Sequence, residues 1–165
     1  MMRVVVASTR REDGFTFIEL MMTLAILAVL VLIATPMAQL AAQREKEREL
    51  RHALIQIRDA LDAYKRAAEQ GRIQMRVGDS GYPRSLEQLV AGVPDQRSPT
   101  RQNLYFLRSL PRDPMSDDAN ARPADTWGTR CHASPPDDPA EGDDVFDIYS
   151  RSGKLGLNGV PYKAW

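Results

Sequence analysis

The sequence has a single cysteine, Cys131, among its 165 residues. One cysteine excludes an internal disulfide, a CxxC redox motif and a cysteine-based zinc site. Histidine is also scarce, with two residues in the chain. His132 directly follows Cys131, but adjacent side chains seldom face each other, so this pair is a poor candidate for a catalytic dyad. We therefore interpret Cys131 as an idle thiol.

The chain also lacks a net charge, because 22 basic residues balance 22 acidic ones. A neutral chain has no electrostatic footprint for nucleic acid. It contains no glycine-rich phosphate loop and no GxSxG nucleophile motif. These features predict a protein that is not an enzyme, that binds no nucleic acid and that needs no cofactor.

Formal charge is absent from one long stretch, the 23 residues from Leu20 to Ala42. A helix of this length spans about 35 Å, enough to cross a hydrocarbon layer of about 30 Å. Pro36 lies inside the stretch, where it removes one backbone donor and predicts a kink. The stretch is apolar on every face, which disfavours a buried core helix.

A secretory signal peptide is the second interpretation, with Arg3, Arg10 and Arg11 as its basic region. The apolar run is long for a signal peptide, and no small-x-small cleavage site lies near its end. A retained membrane helix is therefore favoured. The basic residues on its two flanks leave its orientation undecided.

Glu19 directly precedes this apolar run. An ionised carboxylate costs on the order of 2.5–3.5 kcal/mol near the bilayer centre and less near an interface. The residues alone leave two interpretations open. Glu19 either lies at headgroup level without a partner, or is a functional charge that a partner compensates.

The segment around this glutamate, Gly14-Phe15-Thr16-Phe17-Ile18-Glu19-Leu20, resembles the G-F-T-L-I-E-L cleavage motif of type IV prepilins and type II secretion pseudopilins. Only Phe17 departs from that form. The resemblance implies that a prepilin peptidase cuts after Gly14 and methylates the new amino group of Phe15. It also implies that Glu19 pairs with the N-terminus of a neighbouring subunit. We assign Glu19 and Pro36 to subunit assembly.

Beyond the apolar run, residues 43–70 contain no glycine or proline. One apolar stripe with helical spacing runs through them, and Gly71 follows as a helix-ending residue. The pattern predicts one helix from near Phe15 to near Gln70. The stripe consists of Leu50, Leu54, Ile57, Leu61, Tyr64 and Ala68.

The remaining residues predict a small antiparallel sheet. Ser85 and Gln88 form a capping-box pattern that opens a short helix from Leu86 to about Ala91. Residues 94–103 are polar and predict a loop. The segments Thr126–Arg130 and Val145–Ser150 predict strands. The predicted fold class is α+β, with the long N-terminal membrane-spanning helix packed on the sheet.

The C-terminal half also resembles the major, G-type pseudopilins, on segments that follow the order of that family. The family's DPWG motif is split here by an inserted stretch. The resemblance implies a type IV pilin-like fold with a leader at 1–14, a transmembrane helix at 15–42, an amphipathic extension at 43–70 and a globular domain at 71–165. The matching segments are Tyr82-Pro83, Tyr105 to Pro114, Trp127-Gly128, Asp147 to Ser150 and Trp165.

The G-type family holds calcium in its C-terminal loop with aspartate side chains. The corresponding residues 150–159 contain no acidic residue, and they include Arg151 and Lys154. Calcium requires several oxygen ligands, preferably anionic, so we predict that the family's calcium site is lost and that no metal is bound there. The acidic segment 137–144 is interpreted as solvated surface, with cation binding as the alternative.

The resemblance implies a structural subunit of a type II secretion pseudopilus, located in the bacterial inner membrane with a single pass and its C-terminal domain in the periplasm. The implied partners are further copies in a filament, the prepilin peptidase, other pseudopilins and the inner-membrane secretion platform. Two alternatives remain open. One is a minor pilin of a type IV pilus or DNA-uptake apparatus, and the other is a membrane-tethered binding module that never assembles.

Overall fold

The computed structural model describes residues 14–100 and 102–165. Of the predicted leader, residues 1–13 lie outside the described part. The chain divides into two compact units, with the boundary between Ala42 and Gln43. The helices and strands are α1 (Phe17–Glu69), α2 (Gln88–Ala91), β1 (Val93–Pro94), β2 (Asn103–Leu104), β3 (Trp127–Arg130) and β4 (Asp147–Ser150), with 3-10 turns at Pro123–Thr126 and Tyr162–Ala164.

The first unit contains the N-terminal part of α1. All described side chains from residue 14 to residue 42 are exposed. Thr23 satisfies its hydroxyl within the helix by donating to the Leu20 carbonyl over 2.9 Å. Pro36 lies inside α1, and the kink predicted at this residue stays a prediction.

The second unit is built on the C-terminal part of α1. Every member of the predicted apolar stripe is buried, from Leu50 to Ala68. The Tyr64 ring contacts Phe106 with ring centroids 5.2 Å apart. The amphipathic pattern therefore identified the face of α1 that packs into the core of this unit.

The end of α1 is fixed by backbone hydrogen bonds. Gly71 has a φ of 68°, in the left-handed region. Its amide donates to the Ala68 carbonyl, and the Arg72 amide donates to the Ala67 carbonyl over 3.0 Å. These two bonds form a Schellman motif, which confirms that Gly71 ends the helix.

The predicted antiparallel pairing is confirmed, but it is divided between two small sheets. Strand β3 pairs antiparallel with β4 and sets Trp127 opposite Ser150. Strand β1 pairs antiparallel with β2. The loop predicted at 94–103 is therefore wrong at both ends, because Pro94 and Asn103 belong to strands. Two-residue strands are too short to show the alternation that identifies a strand in a sequence.

The capping box predicted at Ser85 is also wrong. Helix α2 begins at Gln88, two residues later than expected, and Glu87 at its N-cap makes no side-chain capping bond. The Gln88 side chain accepts a hydrogen bond from the Arg84 amide over 3.0 Å instead. A single turn is stabilised mainly by its packing, and the buried Leu89 supplies that packing here.

Candidate functional site

The N-terminal motif forms the start of α1. Gly14, Phe15 and Thr16 precede the helix. The Glu19 amide donates to Thr16 Oγ1 over 3.3 Å, and the Leu20 amide donates to the Thr16 carbonyl over 3.1 Å. Thr16 is therefore the N-cap, and its side chain satisfies an amide that the first turn leaves free.

This geometry gives Glu19 a local role that the sequence analysis missed. Glu19 lies in the first turn of α1, where a negative charge interacts favourably with the helix dipole. Its exposed carboxylate has no ion-pair partner within the described residues. The Thr-x-x-Glu spacing of a capping box was the signal that could have revealed this cap.

The structure brings Gly14, Phe15 and Glu19 together within one short segment, but Pro36 does not join them. Along an α-helix, Pro36 lies about 25 Å beyond Glu19. Phe15 is 80% exposed, and a side chain added at Gly14 would meet no atom within 4 Å. Both residues that flank the peptide bond between Gly14 and Phe15 are thus exposed within the described chain.

The side chain of His132, which follows Cys131, packs against aromatic rings. The His132 ring stacks on Tyr82 at 6.0 Å and meets the edge of Phe146 at 5.4 Å between centroids. Within the described ranges, no hydrogen bond joins the Cys131 thiol to this ring. Both residues line an open cleft of about 1140 Å³, in which Arg84 and Asp79 form an ion pair over 3.2 Å.

The inserted stretch that splits the DPWG pattern loops out between two points that remain in contact. The amide of Asp113, which precedes the stretch, donates to Oγ1 of Thr126 at the end of the stretch over 3.1 Å. The Trp127 indole donates to the Pro111 carbonyl over 2.9 Å. The insertion therefore leaves Trp127 beside the proline-rich segment that precedes it in the sequence.

Basic side chains of the C-terminal loop pair with acidic residues outside it, and the predicted loss of the calcium site stays a prediction. Lys154 donates to both carboxylate oxygens of Asp117, over 2.9 and 3.1 Å, and Arg151 donates to Glu141. The hydrogen bond from Lys154 lowers the pKa of the Asp117 carboxyl. The loop thus presents cations where a metal needs anionic oxygens.

Within the described residues, α1 is the one helix long and apolar enough to cross a membrane. Together with the motif that precedes it, this segment indicates a single-pass, membrane-anchored protein.

Comparison with known proteins agrees with this interpretation. Residues 9–35 match the family model of the prokaryotic N-terminal methylation motif. The type II secretion system core protein G of Vibrio cholerae serotype O1 is 27% identical to the chain over 114 residues, which cover 66% of this chain and 69% of that protein. No solved structure matches the chain. The motif and this relative confirm the predicted resemblance to the type II secretion pseudopilins and support a pilin-like role.

Proposed function

We propose that this chain is a structural subunit of a type II secretion pseudopilus. A prepilin peptidase removes residues 1–14 and methylates Phe15, and the mature subunits assemble into a filament that drives protein export. The observation that carries the proposal is the coincidence of three features at the start of α1. The methylation motif, an accessible Gly14–Phe15 bond and a single carboxylate at the head of an apolar helix occur within a few residues.

The subunit acts by assembly, without catalysis and without nucleic acid. The apolar part of α1 holds it in the bacterial inner membrane, and the unit from Gln43 onward lies in the periplasm. Its partners are further copies of itself, the prepilin peptidase, other pseudopilins and the inner-membrane secretion platform. Support for these partners comes from the similarity to a core protein of a type II secretion system.

Glu19 sets the register of the filament in this proposal. When helices assemble, their apolar faces exclude water, and the carboxylate pairs with the amino group at Phe15 of a neighbouring subunit. Opposite charges about 4 Å apart attract several-fold more strongly in such a medium than in water. Their desolvation offsets much of this gain, so the pair specifies position more than it adds stability.

Replacing Glu19 tests the proposal. In a strain lacking the gene, Glu19→Gln should still be cut and methylated, but it should fail to restore secretion and should not cross-link into filaments. Glu49→Gln is the matched control, because Glu49 is an exposed carboxylate on the same helix. This control should restore secretion fully. Full secretion with Glu19→Gln would instead favour a membrane-tethered module that does not assemble.

A further inference from the structure

A buried carboxylate of α1 holds the C-terminal loop. Glu47 is 7% exposed, although it carries a formal charge. Its Oε1 accepts a hydrogen bond from the Leu157 amide over 2.8 Å and from the Tyr162 hydroxyl over 2.9 Å. Gln43 Nε2 reaches the same oxygen over 3.3 Å and the Tyr162 hydroxyl over 3.1 Å. Glu47 therefore ties α1 to two points in the last ten residues.

Backbone hydrogen bonds also close the turn formed by residues 155–161. The Gly156 amide donates to the Val160 carbonyl over 2.9 Å, and Leu155 pairs with Pro161 as an antiparallel bridge. Burial, helped by the nearby Glu47 charge, raises the pKa of the Tyr162 hydroxyl. This hydroxyl therefore stays protonated and remains a donor to Glu47 at neutral pH.

The loop has a second side-chain contact, an ion pair. Lys154 pairs with Asp117, but both side chains are well exposed, at 64% and 84%. Exposed ion pairs contribute little to stability, whereas charge-assisted bonds to a buried carboxylate are about twice as strong as neutral ones. Glu47 is therefore the main anchor, and Lys154 is a minor one.

We propose that Glu47 anchors the 150–159 loop, to which the family resemblance assigns calcium, so that this chain orders the loop without a metal. The carboxylate acts from the helix and binds the Leu157 amide of the loop and the Tyr162 hydroxyl just after it, whereas a metal would need oxygen ligands. The charges are thus reversed. Here hydrogen-bond donors surround an anion on α1, whereas in a calcium site oxygen ligands would surround a cation. The contacts of Glu47 lie wholly within the unit from Gln43 to Trp165, so they do not depend on whether the chain assembles.

The test compares Glu47→Gln with Glu49→Gln in the full chain, in detergent micelles. Amide hydrogen exchange of residues 150–159 and the thermal midpoint are measured with added calcium chloride and with EDTA. The wild-type protein should give the same protection and the same midpoint in both buffers. Glu47→Gln should exchange at least tenfold faster in the loop and should melt about 5–10 °C lower. Glu49→Gln should match the wild-type protein.

Tyr162→Phe provides a milder variant, since it removes the hydrogen bonds of the hydroxyl to Glu47 and from Gln43 while keeping the buried ring and the bond from the Leu157 amide to Glu47. It should raise exchange at the Leu157 amide without unfolding the unit, and calcium should not reverse the effect. Lys154→Met should change the midpoint by less than Glu47→Gln does. The inference is wrong if EDTA deprotects the wild-type loop, if calcium titration by calorimetry shows tight binding, or if Glu47→Gln behaves like Glu49→Gln.

Discussion

At the scale of single residues, Trp127 is the largest side chain that is fully shielded from solvent among the described residues. Its indole donates to the Pro111 carbonyl across the base of the inserted loop. Trp127→Ala should lower the free energy of unfolding by about 3–5 kcal/mol, because it removes a large buried ring and leaves a cavity. Trp127→Phe should cost less, since most of the ring volume remains. Urea denaturation of the full chain in detergent measures both changes.

Val77→Ala is the control for this prediction, because Val77 is fully exposed. An exposed substitution of this kind should change the free energy of unfolding by no more than about 0.5 kcal/mol. A Trp127→Ala variant as stable as Val77→Ala would show that the indole does not close the inserted loop.

The hydrogen bonds that Asp95 accepts predict that the folded protein loses stability in acid. Its Oδ2 accepts hydrogen bonds from Arg72 over 3.1 and 2.6 Å, and its Oδ1 accepts one from the Arg97 amide. The bonds from Arg72 are the largest cause of its lowered pKa. Because the folded pKa lies below the unfolded value of about 3.9, the stabilisation is complete above that value and is lost as the pH falls through the folded pKa.

Thermal midpoints measured between about pH 6 and pH 2.5 test this linkage. Asp95→Asn should flatten part of the decrease below about pH 4. Asp79, Asp117 and Asp125 also have lowered pKa values, so some decrease should remain. Arg72→Met should flatten the same part of the curve as Asp95→Asn does. A wild-type slope in Arg72→Met would mean that this arginine is not the cause.

At the scale of elements, the end of α1 depends on the backbone of one glycine. Gly71 has a φ of +68°, and an added side chain there would meet no atom within 4 Å. Gly71→Ala should therefore destabilise the chain by about 1 kcal/mol, through backbone strain alone. Gly153→Ala is matched to it, because that site is equally open but has no positive φ. It should be neutral or slightly stabilising. Equal unfolding midpoints for the two variants would contradict the role of the Schellman motif.

The sequence predicted those elements whose signals repeat. The stripe on α1 recurs over five turns, so its buried face was identified correctly. Strands β3 and β4 were predicted from their β-prone residues. The two-residue strands at Val93 and Asn103 carry no repeat, and their pairing depends on contacts distant in the chain. The Thr-x-x-Glu pattern indicates a cap at Thr16. The same residues belong to the family motif, and they were interpreted only as that motif.

The anchor at Glu47 shows the limit of pattern reasoning more clearly. Glu47 stands three residues before Leu50 and therefore lies on the apolar stripe itself. Its position predicts burial, whereas its charge predicts exposure, and only the fold resolves this conflict. The donors that satisfy it, the Leu157 amide and the Tyr162 hydroxyl, lie more than one hundred residues away. No local pattern in the sequence links these residues.

At the scale of the whole molecule, the proposed maturation changes what the membrane helix presents. Removing residues 1–14 takes away Arg3, Arg10 and Arg11 together with two acidic residues. It also creates a positive charge at Phe15, four residues before Glu19. An amino group at the head of an apolar helix is the counter-charge that the proposed assembly requires.

Mass spectrometry of the protein isolated from its native membrane tests this maturation. The mature chain should begin at Phe15 and be heavier by one methylene than the unmethylated form. Gly14→Val should remain uncut, because a branched side chain narrows access to the bond for the peptidase. A side chain at this position meets no atom of the described chain, so the block would act on processing and not on folding. If the wild-type protein isolated from its membrane still began at Met1, Phe15 would carry no free amino group. Glu19 would then lack its proposed partner.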